Sequence, residues 1–148
     1  MHRRLAWLSL ALLAACGDDG GATTDTRGSD APDTSGGGCT LTAEMQHTGS
    51  GSQFTLTAHG ALSCRSPHDL QVATTLEWKD AADPETAWSE VQTATQSGSD
   101  DTTLESEASS SLLCPLNGGK VWRAVVHASV DGAALDAETS SELGGLCP

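Results

Sequence analysis

The side chains with the most chemistry to offer are five cysteines, Cys16, Cys39, Cys64, Cys114 and Cys147, and four of the five histidines, the well-separated His47, His59, His68 and His127. A zinc site needs closely spaced pairs such as Cys-x-x-Cys with histidines at short intervals. No such pair exists here, and His59 and His127 fall in the solvent phase of their segments. Asp80, Asp83 and Glu85 share one loop, and Asp100 and Asp101 another. Neither has the regular oxygen-ligand spacing of a calcium loop, so both read as solvated carboxylates. Serine is abundant, yet there is no Gly-x-Ser-x-Gly elbow, and Ser109, Ser110 and Ser111 read as the small face of a strand. No carboxylate pair stands out from the acidic background as a glycosidase dyad. The expectation is a protein that is not an enzyme, with no catalytic residues, metal or cofactor.

Charge narrows the partners. The chain of 148 residues carries 7 basic and 20 acidic residues, a net −13. Losing an N-terminal segment containing Arg3 and Arg4 would leave 5 basic residues and a net −15. Nucleic-acid binding requires clustered Lys and Arg, so it is not expected. Attraction to anionic lipid by charge is disfavoured for the same reason. Phe54 is the one phenylalanine and tyrosine is absent, so a core must lean on Leu, Val, Ala, a few tryptophans and cross-links.

The elements that would position these residues are strands. Apolar residues alternate with polar ones from Cys39 to Met45, from Phe54 to Cys64, from Leu70 to Trp78, from Leu104 to Cys114 and from Trp122 to Val130. A fourth run, Ala87 to Gln96, puts Trp88 and Val91 in opposite phases, which predicts a bulge or an irregular edge strand. A last run extends from Leu135 to Leu146, and Gly, Pro, Asn and Asp clusters separate the runs. Seven strands and no helix predict an all-β domain over residues 39–148. A seven-stranded antiparallel β-sandwich is the leading architecture, with a small closed barrel as its rival. Cys64, Trp78 and Cys114 loosely resemble the cysteine–tryptophan–cysteine series of immunoglobulin-like domains. They depart from it where Cys114 precedes a turn and where the tyrosine before the second cysteine is missing. The resemblance implies an immunoglobulin-like or fibronectin-like arrangement of strands.

The N-terminus is different in kind. His2-Arg3-Arg4 precedes an apolar stretch from Leu5 to Ala15, too short to span a bilayer as a stable helix, which ends in Leu13-Ala14-Ala15-Cys16. This resembles the signal peptide and lipobox of bacterial lipoproteins. The resemblance implies a signal over residues 1–15 and a lipid attached to Cys16. It also implies a place in the cell envelope, with the outer membrane of a Gram-negative bacterium favoured because Gly17 follows the cysteine. One acyl chain binds marginally and two or more hold durably, at about 0.8 kcal/mol per buried methylene. Residues 16–38 comprise the lipidated cysteine and a Gly/Asp/Thr/Ser linker without a large apolar residue, which predicts a disordered tether with a mean reach of roughly 25 Å.

With Cys16 set aside, four cysteines remain, enough for two disulfides in an exported domain. Four cysteines allow three connectivities. If successive strands are antiparallel, Cys39 and Cys64 meet at one end of the domain and Cys114 and Cys147 at the other, which favours those two pairs. The leading functional expectation is an envelope lipoprotein whose loops, such as Asp80 to Glu85 and Ser97 to Asp101, bind an unknown protein or glycan partner. A structural or assembly subunit using the weak fourth strand as an edge is the alternative, and a secreted hydrolase is a third reading.

Overall fold

The computed structural model describes residues 23–29, 38–83 and 85–147; Cys16, the expected signal and the rest of the expected tether lie outside the described residues. The alternation in the sequence becomes alternation in burial. Strand β2 (Cys39–Ser50) buries Leu41, Ala43 and Met45, and β5 (Lys120–Val130) buries Trp122, Ala124, Val126, Ala128 and Val130. Side chains one residue apart point to opposite faces of a strand, so each apolar set turns inward as a unit. Asp131 and Gly132 follow β5 with φ of 50° and 79°, the left-handed pair that a tight hairpin turn requires.

Two strands are much longer than the alternating runs suggest. Strand β3 (Gln53–Asp80) joins the second and third predicted strands, and β4 (Ser89–Leu113) joins the fourth and fifth. The two are antiparallel partners from Gln53↔Leu113 to Trp78↔Ser89, with register shifts around His68. Between Ser63↔Thr103 and Leu70↔Gly98 the pairing narrows to the single contact His68↔Asp101, and the shifts on either side of it absorb the change of direction. At Asp100 a φ of 60° marks the same corner in β4. A further shift, between Leu76 and Glu77, leaves Val91 without an opposite residue. This is a bulge in the weak fourth run, and it reconciles the opposed phases of Trp88 and Val91.

The first half of β3 pairs with β2, and its second half pairs with β5. The sheet then folds over so that its two halves face each other. A Cβ placed on Gly60, in the first half of β3, would lie 2.7 Å from Val126 Cγ1 in β5, so only a glycine fits between the layers there. Buried hydrogen bonds cross the same gap. Thr74 Oγ1 donates to the Ser106 carbonyl at 3.1 Å, and Ser106 Oγ donates to the Ala94 carbonyl at 2.8 Å. These bonds satisfy polar groups that would be costly to bury unpaired. Around them, one apolar cluster gathers Leu41, Leu62, Leu70, Val72 and Val130, and another Met45, Phe54, Leu56, Leu76 and Trp122.

Eight described strands form one hydrogen-bonded, antiparallel sheet. Among the described residues no pairing closes it into the barrel considered as the rival architecture. Among the described residues the chain is all-β with one helical turn, α1 (Cys114–Asn117), at one of the Pro, Asn and Gly clusters that separate the alternating runs. The predicted last strand is instead three two-residue contacts with β5: β6 (Ala133–Ala134), β7 (Glu138–Thr139) and β8 (Leu143–Gly144). The sequence between them lacks a sustained β-branched alternation. Within the predicted linker, β1 (Thr23–Ser29) pairs antiparallel with β2 from Thr23↔His47 to Ser29↔Leu41. Three threonines give this stretch β propensity that composition alone concealed.

Candidate functional site

Cys39 and Cys64 are direct partners in the β2–β3 register and are joined by a disulfide, with Cα atoms 4.0 Å apart. At the other end of the domain Cys114, the first residue of α1, is joined to Cys147, with Cα atoms 5.3 Å apart. These are the two pairs that strand parity favours. The disulfides close loops with sequence separations of 25 and 33 residues. In the chain-entropy account each is worth about 3–4 kcal/mol. With both bonds formed, neither pair offers a free thiol. A surface recess of about 490 Å³ lies beside the second disulfide, lined by Gly51, Ser52, Pro115, Gly118 and Gly119.

The end of the domain marked by Cys39–Cys64 brings together three residues that sequence reasoning left apart. Ser66 Oγ lies 3.0 Å from His68 Nε2, and His68 Nδ1 lies 2.8 Å from Asp131 Oδ2. With the proton assigned to Nδ1, the imidazole donates to Asp131 and accepts from the Ser66 hydroxyl. The Asp69 backbone N–H donates to the second Asp131 oxygen at 2.9 Å. That bond, followed by the one to His68, holds the Asp131 carboxyl below its ordinary range. The order hydroxyl, imidazole, carboxylate is that of an activated nucleophile. No sequence signal marked it, because Asp131 is supplied by a turn more than sixty residues away.

A second cluster gathers at the opposite end. Lys79 Nζ lies 4.6 Å and the Arg123 guanidinium 4.0 Å from the centre of the Trp88 ring. Lys120 Nζ lies 3.7 Å from the centre of the Trp78 ring, and Trp78 meets Trp122 at 6.5 Å. Each cation–π contact is worth about 0.5–2 kcal/mol. Arg123 also pairs with Glu77 at 2.8 Å and Lys79 with Glu142 at 3.2 Å. Local carboxylates thus balance the two cations around Trp88, so this is a clamp on a ring rather than an anion receptor.

The surface least used by the fold is the outer edge of β4. Among the described residues β4 pairs with β3 alone, and most of its 25 residues are exposed. Glu90, Asp100, Asp101, Glu105 and Glu107 punctuate it, and no Lys or Arg occurs from residue 80 to residue 119. Both predicted loops adjoin this edge. The Asp80–Glu85 loop precedes β4, and there Asp83 accepts the Glu85 N–H at 3.3 Å. Ser97 to Asp101 form its corner. Among the described residues no group of three or more His, Cys, Asp or Glu side chains is arranged to hold a metal ion.

No family model and no curated protein matches the chain. Among solved structures, it is similar to a candidate β-galactosidase from Bacteroides fragilis, with 16% identity and a TM-score of 0.44. That match covers 82% of this chain, which spans only 16% of the larger protein. A candidate ApaA protein from Bordetella pertussis is similar at 14% identity and a TM-score of 0.41, over 72% of this chain and 91% of that one.

Proposed function

We propose that the chain is an exported lipoprotein, anchored through Cys16 to the cell envelope and, in a Gram-negative bacterium, to the outer membrane. In this reading its β domain is a non-catalytic binding module. The folded-over sheet is read as a sandwich of immunoglobulin or fibronectin type. One layer holds β2, the first half of β3 and the second half of β4; the other holds the first half of β4, the second half of β3, and β5. The observation that carries the binding role is the outer edge of β4, which no described strand pairs, a row of backbone donors and acceptors suited to strand addition. Its carboxylates favour an extended protein segment rich in Lys or Arg. An assembly subunit would use the same edge, with a neighbouring envelope protein supplying the strand.

Two measurements test this. Metabolic labelling with a lipid precursor should mark the wild type and not Cys16→Ser; equal labelling of both sinks the anchor. A photo-crosslinking side chain at Thr95 or Ser109 of β4 should capture a discrete partner on intact cells. If neither position yields an adduct while lipidation is intact, the edge is not the binding surface.

The Ser66–His68–Asp131 chain favours a second reading, a serine hydrolase. Ser66 Oγ would attack an ester carbonyl carbon, and its proton would pass to His68 Nε2 and then to the leaving alkoxide. Water would release the acyl group from Ser66 by the same relay. A fluorophosphonate probe should then label the wild type and spare Ser66→Ala. Absence of labelling in the wild type rules this reading out.

A further inference from the structure

The direction of β1 decides which end of the domain the N-terminal chain reaches. Because Thr23 lies opposite His47 and Ser29 opposite Leu41, the chain enters beside the β2–β3 hairpin, at the end that carries Cys114–Cys147. It does not enter at the Cys39–Cys64 end, where a tether leading directly into β2 would attach. Six residues, Gly17 to Ala22, separate Cys16 from Thr23. Even fully extended, that connection reaches no more than about 25 Å.

The same end has a distinctive surface. Leu116 is 74% exposed and Leu113 48% exposed, with Pro115 between them. Val91, the third exposed large apolar side chain among the described residues, lies near the start of β4 at this end. Trp78, Trp88 and Trp122 gather here with Lys79, Lys120 and Arg123. Exposed aliphatic side chains backed by tryptophans and long cations suit the boundary between water and acyl chains. Asp80, Asp83, Glu85 and Glu142 accompany the cations, so the matching surface is one of zwitterionic headgroups rather than anionic lipid. The opposite end presents Arg65, Ser66, His68 and Asp131, and among the described residues no exposed large apolar side chain.

We infer that the end of the domain bearing Leu113, Pro115 and Leu116 rests on the lipid surface to which Cys16 is attached. The inference depends on the lipid-anchor reading above. It replaces a domain held off on a long tether with one seated on the bilayer, its Cys39–Cys64 end pointing away.

The test uses the full lipidated chain in phosphatidylcholine vesicles, with and without brominated acyl chains. In L116W the added emission should fall about twofold on brominated lipid, as for a side chain a few ångströms into the interface. In A133W, at the far end, it should not change. Pairing of β1 is probed separately with the double variant Thr24→Pro and Thr26→Pro, which should lose most of the L116W quenching. Protein that floats with the vesicles but shows equal emission in both lipids for L116W overturns the seating and leaves the anchor intact. Protein that does not float and carries an unmodified Cys16 by mass spectrometry overturns both. Quenching that survives the prolines overturns the part assigned to β1, and a protein capping Leu116 on cells in place of lipid would overturn the seating itself.

Discussion

Asp131 does two jobs from one turn. Its left-handed backbone shapes the turn after β5, and its carboxylate ties that turn to the bend in β3 through His68 and the Asp69 N–H. Because these bonds favour the ionised form, its folded-state value lies below the ordinary 3.8. A depressed carboxyl contributes stability that is present above the unfolded-state value and lost as pH falls through the folded-state value. Asp131→Asn should therefore flatten the loss of stability on acidification below about pH 4, followed as melting temperature against pH. An unchanged acid limb would show that the clasp adds nothing to folding. The residue scale is also where the sequence was least legible. Ser66 and His68 are near neighbours, but nothing in composition or spacing announces that Asp131 completes the set, since long-range juxtaposition is set by strand register.

At the scale of elements, the alternating phases were legible because burial on one face enforces them, and the strands over Cys39–Met45 and Trp122–Val130 follow directly. Strand lengths were less so. Polar residues such as Arg65, Ser66 and Asp69 fall between two alternating runs, yet they lie within one long β3 whose pairing to β4 is carried across the bend by His68↔Asp101 alone. The register slips near His68 have no sequence signature of their own. The spacing between layers is likewise a tertiary property, concentrated at Gly60. Gly60→Val should cost about 1–3 kcal/mol through overpacking against Val126 and Thr74, measured as a shift in urea midpoint with little change in slope. A tolerated substitution would mean that the layers separate more readily than their contact implies. Trp88→Ala offers a contrasting case. It removes two cation–π contacts from a half-buried ring and should cost about 1–2 kcal/mol, read from the same denaturation curves.

For the whole molecule, aromatic poverty and the two disulfides belong together. A domain with one phenylalanine and no tyrosine gains little from large rings, so cross-links at opposite ends supply part of what its core does not. Replacing Cys114 and Cys147 together by serine should lower stability by about 2–5 kcal/mol, seen by calorimetry, while the strand signal in circular dichroism is retained at low temperature. A smaller loss would mean that α1 and β8 hold their places without the bond. Net acidity was legible throughout, but its placement was not. Only the structure separates the acidic β4 edge from the Trp and Lys cluster at one end.

The cross-link between Cys39 and Cys64 also has a mechanical consequence. A pull on Cys16 would be delivered at Thr23 along the strand axis and would load the β1–β2 pairs together. Once β1 has come away, the load arrives at Cys39. There the bond passes it into the middle of β3, a strand held along its length by β4 and on both halves by further partners. The domain would thus yield one short extension, as β1 comes away, and then stiffen abruptly, the behaviour of a shock absorber with a hard stop.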